Sequence, residues 1–406
     1  MTNQFNAALP AHLQIGHILP QDHAKAALIG RVWIPDGQAA GATLVRVTAD
    51  GIFDLSALAA TSSQLLELPD AAARVRAHPG ARLADTAAVL ANSAQEARKT
   101  TLPWFMAPCD LQAIKAAGVT FVSSMLERVI EEQCKGDPTK ADGVRKAVQA
   151  VIGDNLGHVV PGSPEAAELK EVLIQQGMWS QYLEVGIGPD AEIFTKSQPM
   201  SAVGVGAEVG IHPKSSWNNP EPEIVLAVNS RGEIVGASLG NDVNLRDFEG
   251  RSALLLGKAK DNNASASIGP FIRLFDAHFS LDDVRQCDLA VKVEGPDGFV
   301  MTGASSISKI SRTPEDLASQ ALNANHQYPD GFMLFLGTMF APTQDRPIPG
   351  KPSGEGFTHL VGDLVSVSTP LLGCLVNRVN TSDKITPWTY GASALMRDLA
   401  RRGLPT

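Results

Sequence analysis

The stretch Trp217-Asn-Asn-Pro-Glu-Pro-Glu-Ile-Val-Leu-Ala-Val228 runs through Asn229-Ser-Arg-Gly232 into Glu233-Ile-Val-Gly-Ala-Ser-Leu-Gly-Asn-Asp242. An apolar run from Glu223 to Val228, a turn, and a second run from Glu233 to Ser238 together read as a β-hairpin. Side chains alternate faces along a strand, so Glu221 and Glu223 point the same way. Alone, such an acidic pair is an ordinary solvated or edge-protecting feature. The returning strand alters that reading, because it carries Asp242 back towards the end of the hairpin where the glutamates begin. Two glutamates and an aspartate offer hard oxygen donors to one Mg²⁺ and leave positions open for water and a bidentate oxygen substrate. Without a cation, three acids so gathered repel one another.

Working outward, Gly240-Asn-Asp-Val-Asn-Leu-Arg-Asp247 places Arg246 and Asp247 where they can pair and brace a loop. In Leu254-Leu-Leu-Gly-Lys-Ala-Lys260, Lys258 and Lys260 are both surface cations, or Lys258 has its head partly buried near the metal. Burial there lowers its pKa and suits it to proton transfer or to partnering an oxyanion. Thr338, in Leu336-Gly-Thr-Met339, either binds a substrate carboxylate or only ends a strand. Val203 to Gly210 is glycine-rich, but Val209 stands where a dinucleotide fingerprint needs its third glycine, so the segment reads as a connector. His212 sits beside Pro213 in a loop and reads as structural or surface, and no Gly-x-Ser-x-Gly elbow supports a serine nucleophile.

The 406 residues suggest two or three domains. With 44% apolar and 19% charged residues the chain is an ordinary globule, and the 34 Lys and Arg against 43 Asp and Glu argue against nucleic acid as a partner. No apolar stretch is long enough for a membrane span, and the N-terminus lacks the pattern of a secretory signal, so a cytoplasmic protein is expected. Cys109, Cys134, Cys287 and Cys374 are widely spaced and read as reduced, buried thiols. Few aromatics and many glycines and prolines favour short strands and turns. Ala42 to Val47 with Ile52 to Leu55, and Val291 to Glu294 with Phe299 to Thr302, read as hairpins, while Phe332 to Thr338 and Leu364 to Val367 read as central strands. Pro69 to Arg98 reads as helical or loose connecting structure. Leu111 to Ala117 is helix-compatible, Val119 to Ser124 is a short strand candidate, and helices are expected over Met125 to Lys135 and Pro164 to Gln176. The loop Asn155 to Gly162 between those helices is a candidate lid. The divisions are an N-terminal domain at 1–115, a helical lid or linker at 116–180, and a β-rich catalytic domain at 181–406.

Asn219-Pro-Glu-Pro-Glu223, the Gly240 to Asp247 loop, Gly257-Lys258 with Ile268-Gly-Pro270, and Leu336-Gly-Thr338 occur in an order that resembles the fumarylacetoacetate hydrolase superfamily. The resemblance runs from about Val119 to the C-terminus. It implies a β-dominated, mixed α/β fold, a mixed β-sandwich roll with a helical lid and a smaller N-terminal domain. It also implies a homodimer or higher homo-oligomer that holds Mg²⁺ or Mn²⁺ and acts on a small 2-oxo acid. By motif match, Glu221, Glu223 and Asp242 are the implied metal ligands, Lys258 the catalytic lysine, Thr338 a substrate-carboxylate contact, and Lys196, in Phe194-Thr-Lys-Ser-Gln-Pro199, a weaker candidate for the site.

Carbon–carbon hydrolases of the superfamily carry His-x-x-Glu on the lid helix, where this chain has Arg128-Val-Ile-Glu131. Arginine stays protonated and cannot act as a general base near neutrality. Arg246-Asp-Phe-Glu-Gly250 and Ala304-Ser-Ser-Ile-Ser-Lys-Ile310 are similar to the 2-keto-3-deoxyarabinonate dehydratase branch, which makes Arg246 a further candidate for substrate binding. The resemblance therefore implies a lyase that removes water from a 2-keto-3-deoxy sugar acid, with Lys258 or Glu131 as base, Glu131 as acid, and Arg128 orienting Glu131 or holding a substrate oxygen. The alternatives are a 2,4-diketo-3-deoxy acid C–C hydrolase that releases pyruvate, and a catalytically silent 2-oxo acid binding protein.

Overall fold

The computed structural model describes residues 9–37, 40–135, 137–140, 143–144, 159–175, 177, 179–338, 340, 342, 344–347 and 356–405. Part of the expected lid loop, 155–158, lies outside them, as does the side chain of Glu131. The fold is the expected β-dominated, mixed α/β one. Its largest element is an 11-stranded sheet. From one edge the strands are Arg82–Ala84, Ile52–Asp54, Gly41–Val47, Leu28–Ile34, Ala266–Leu274, Ile234–Asp242, Pro222–Val228, Phe332–Phe335, Ala113–Gly118 and Glu192–Ser197, with Trp104–Met106 also paired to Leu28–Ile34. Strands on either side of residue 115 thus share one sheet. A five-stranded sheet, Val300–Ser306, Asp288–Glu294, Leu364–Thr369, Gly373–Thr381 and Glu208–Ile211, packs against it.

The hairpin lies at the centre of the large sheet, and every residue of Pro222–Val228 is buried. Its two faces enter different cores. Ile224, Leu226 and Val228 join a cluster with Val291, Val293, Val365, Val367 and Leu375 of the smaller sheet. Val225 and Ala227 join another with Ile114, Ile268, Met333 and Phe335. Glu221 and Glu223 continue this second face by the two-residue period of a strand. Over them lies the helix Val122–Cys134, whose Met125, Val129, Ile130 and Cys134 pack with Leu173, Tyr182, Leu183, Ile187 and Trp217 in a separate apolar cluster.

Two expected elements are exchanged. The helix-compatible Leu111 to Ala117 gives the strand Ala113–Gly118, and the strand candidate Val119 to Ser124 opens the helix Val122–Cys134. Alanine favours helix only weakly, and here Ala113–Gly118 is fixed by a parallel partner, Phe332–Phe335, and an antiparallel one, Glu192–Ser197. All four cysteines are buried, and none of them is in a disulfide. Among the described residues no helix is long and apolar enough to cross a membrane.

Leu226, wholly buried between the sheets, sets the strand that carries the two glutamates. Leu226→Ala is expected to cost about 2–5 kcal/mol of unfolding free energy by urea denaturation. A loss below about 1 kcal/mol contradicts the central placement of this strand.

Candidate active site

The antiparallel register pairs Pro222 with Asn241 and Glu223 with Gly240, and the Asp242 N–H donates to the Glu221 carbonyl at 3.0 Å. The hairpin therefore brings Glu221, Glu223 and Asp242 together. Each offers one oxygen, and these oxygens lie within 4.8 Å of one another, with the residues only 1–2% exposed. Three buried hard donors on one rigid ladder fit a divalent cation such as Mg²⁺.

Cationic side chains surround the trio. Lys260 reaches Glu221 Oε2 at 2.5 Å and Asp242 Oδ2 at 3.2 Å. Lys196, wholly buried on Glu192–Ser197, meets Asp242 Oδ1 at 2.7 Å and donates to the Val243 carbonyl at 3.1 Å. From the helix Val122–Cys134, Arg128 pairs with Glu221 Oε1 and lies 3.0 Å from Glu249 Oε2. Burial opposes ionisation of Glu221, yet Lys260 and Arg128 hold its pKa down at about 2. Glu223 goes the other way. Burial, with Asp242 and Glu221 beside it, pushes its pKa well up, although the Gly337 N–H donates to it at 2.7 Å. Burial lowers the pKa of Lys196, whereas Lys260 is raised because Asp242 and Glu221 outweigh its desolvation.

Glu221, Glu223, Asp242, Lys260 and Arg128 line a small cavity of ≈ 10 Å³ together with Gly118, Phe194, Thr338, Glu192 and Glu249. Glu192 is half-buried, and burial followed by repulsion from Glu249 raises its pKa to about 7. It lies opposite Gly118 in the ladder, where a β-carbon at residue 118 would overlap its carboxylate. Glu192 and Glu249 also line a neighbouring chamber of ≈ 140 Å³ with Gln181, Tyr182 and Leu256.

Of the residues singled out from sequence, Glu221, Glu223, Asp242, Arg128 and Thr338 meet around this cavity, and Lys196 stands behind it, paired with Asp242. Lys258 does not join them. It is exposed, with Nζ 5.7 Å from the Phe248 ring centroid. On the short helix Leu256–Lys260 two residues are about 200° apart, so when one lysine turns inward the other turns out. The inward lysine is Lys260. Arg246 is buried but is not among the residues lining the cavity; it lies 5.5 Å over Trp217 and donates to the Pro342 carbonyl at 3.1 Å. Glu131 lies on the helix Val122–Cys134, with its side chain outside the described residues. The sequence reading missed Lys260, Glu192 and Glu249, which reach the site only through pairing and packing.

No family model matches the chain. It is 28% identical over 207 residues to a probable 2-keto-3-deoxyxylonate dehydratase of Haloferax volcanii, an alignment taking in 51% of this chain and 66% of that protein. It is also 28% identical over 195 residues to a 2-dehydro-3-deoxy-D-arabinonate dehydratase of Saccharolobus solfataricus, taking in 48% of this chain and 60% of that one. The chain thus spans less than two thirds of the length of either curated relative. Among solved structures, a 2-keto-3-deoxy-D-arabinonate dehydratase in its apo form superposes with a TM-score of 0.57 at 19% identity, covering 87% of this chain and 99% of that one. A structure of a protein of that name complexed with magnesium and 2,5-dioxopentanoate gives 0.53 at 19% identity, again over 87% and 99%. These likenesses establish the fold, which is the one the sequence resemblance implied.

The lysine assignment is checked by stability without added metal. Lys260→Met is expected to cost about 3–5 kcal/mol, because it leaves Glu221 and Asp242 short of a buried partner. Lys258→Met should stay within about 0.5 kcal/mol of the parent. Equal effects of the two substitutions in denaturant titrations contradict the assignment.

Proposed function

We propose that this chain is a Mg²⁺-dependent dehydratase of a 2-keto-3-deoxy sugar acid, most plainly a pentonate. The observation that carries the reading is the buried Glu221–Glu223–Asp242 trio with Lys260 against it and Glu192 on the same cavity wall. The two curated relatives named as dehydratases support the reaction class. Glu221, Glu223 and Asp242 would hold the cation, Mn²⁺ being the other ion that suits such donors. When bound, it supplies Lewis-acid stabilisation of negative charge on a 2-oxo carboxylate.

The protein's own groups divide the remaining work. Lys260, kept protonated by its two acids, places an ammonium where charge grows on the C2 oxygen as C3 loses its proton. Thr338, on the cavity wall, presents a hydroxyl to the substrate carboxylate. Glu192 titrates near neutrality, the range in which a carboxylate serves as base and then as acid. It takes the C3 proton and returns it to the C4 hydroxyl as the C4–O bond breaks, so that water leaves and a C3–C4 double bond conjugated to the 2-oxo group forms; loss of a C5 proton then gives a dienol, whose ketonisation at C2 and C5 places protons on C3 and C4 and yields the semialdehyde. Arg128, bridging Glu221 and Glu249, holds the lid helix over the site and keeps these two acids in place. In this scheme Glu192 takes the role expected of Glu131, and Lys260 that expected of Lys258. The homo-oligomeric state and cytoplasmic setting implied at the outset remain part of the proposal.

Incubation of the enzyme with Mg²⁺ and each epimer of a 2-keto-3-deoxypentonate should yield 2-oxoglutarate semialdehyde, read by a coupled dehydrogenase. Release of pyruvate from a 2,4-diketo-3-deoxy acid instead favours a C–C hydrolase, and binding without turnover favours a silent 2-oxo acid binder. Glu221→Gln should abolish metal-dependent turnover and leave the circular dichroism spectrum unchanged.

The pH dependence has a definite sign. The resting base is ionised Glu192, so kcat/KM should fall as pH drops through a midpoint at or below about 7, since added positive charge nearby draws the raised value down. Glu192→Gln should lose about 10²-fold or more in kcat and remove that limb. Persistence of the limb in the variant contradicts the assignment.

A further inference from the structure

Beyond the acidic trio the same face of the hairpin continues outward. Asn218–Asn219 pairs with Asn244–Leu245 in an antiparallel ladder that keeps the register of the hairpin, Asn219 facing Asn244 just as Glu223 faces Gly240. Residues two apart on a strand share a face, and residues opposite one another in an antiparallel ladder point to the same side. Asn219 and Asn244 therefore form the row next to Glu221 and Asp242, about 6.8 Å further along the strands. Both are buried, at 1% and 0% exposure. Asn219 spends its Nδ2 on the Pro220 carbonyl at 2.9 Å, but among the described residues its Oδ1 and both polar atoms of Asn244 have no partner. Buried amide atoms left unpaired are costly, and in a native protein they need a reason.

Resting on the dehydratase reading above, we infer that the Asn219–Asn244 pair is the subsite for a distal hydroxyl group of the sugar acid. A hydroxyl both donates and accepts, and this pair offers two acceptor oxygens and an N–H₂ donor. The reach also agrees. Four C–C bonds of about 1.5 Å span roughly 5 Å when extended, so a five-carbon acid with its 2-oxo carboxylate at the trio brings its far hydroxyl to the next row. The pair would then select hydroxylated 2-oxo acids over plain ones of equal length, because an analogue lacking the hydroxyl leaves these amides unsatisfied.

The test uses Mg²⁺-loaded protein and two ligands that lack a C4 leaving group and so do not react, 2-oxopentanoate and 5-hydroxy-2-oxopentanoate, which differ by one hydroxyl. Calorimetry on the parent protein should show the hydroxylated compound binding about tenfold or more tightly. Asn244→Leu should erase that difference, leave 2-oxopentanoate affinity within about twofold, and melt no lower than the parent, since leucine removes orphaned polar atoms. Equal affinities in the parent overturn the inference without recourse to any variant. So does a variant that weakens both ligands equally, or one that keeps the full preference. If Asn244→Leu does not fold, Asn244→Ala and Asn219→Leu are read by the same comparison. Failure of both ligands and of pyruvate to bind the parent in saturating Mg²⁺ overturns the dehydratase reading itself, a result distinct from binding without preference.

Discussion

Three carboxylates held out of water within 4.8 Å of one another have to be compensated, and the architecture around them supplies the compensation. Lys196 comes from the strand Glu192–Ser197, Lys260 from the helix Leu256–Lys260, and Arg128 from the helix laid over the hairpin. Each cation is itself buried, so it depends on the acids as they depend on it. Glu223 receives less help: the Gly337 N–H donates to it at 2.7 Å and Lys260 draws its pKa down, but burial with Asp242 and Glu221 beside it outweighs both and pushes the pKa well up. That is the electrostatic state of a site prepared for added positive charge.

The hairpin register organises the rest. Along one face lie, in order, Glu223 opposite Gly240, Glu221 beside Asp242, Asn219 opposite Asn244, and then Arg246 stacked over Trp217. Gly240 is required at its place, since a β-carbon there would strike Phe335 and Val225. A single ladder thus arranges acids, amides and an arginine at a repeat of about 6.8 Å, and a slip of one residue would turn all of them into the core. The buried apolar faces on both sides of Pro222–Val228 are what forbid that slip.

Much of this was legible in the sequence because it depends on periods of two. The hairpin, the common face of Glu221 and Glu223, and the return of Asp242 follow from alternation and a turn, and the resemblance added Thr338, Lys196 and the fold. Other features depend on tertiary partners that no local pattern records. Ala113–Gly118 is a strand because two neighbours pair with it, despite alanines that suit a helix. Lys260 rather than Lys258 faces the acids because of the rotation of one short helix, and two lysines two residues apart give no sign of which turns inward. Glu192 owes its raised pKa to burial and to Glu249, 57 positions further along the chain by their residue numbers, and its room to the missing side chain of Gly118. Arg246, singled out by its motif, lies one row beyond the amides and stacks on an indole.

The whole account depends on a cation among Glu221, Glu223 and Asp242, and anomalous diffraction from crystals grown in Mn²⁺ tests it most directly. The account predicts one strong manganese peak within bonding distance of an oxygen from each of the three carboxylates, with Arg128 drawn back from Glu221. A map with no peak there at saturating Mn²⁺, or with manganese bound only elsewhere, contradicts it.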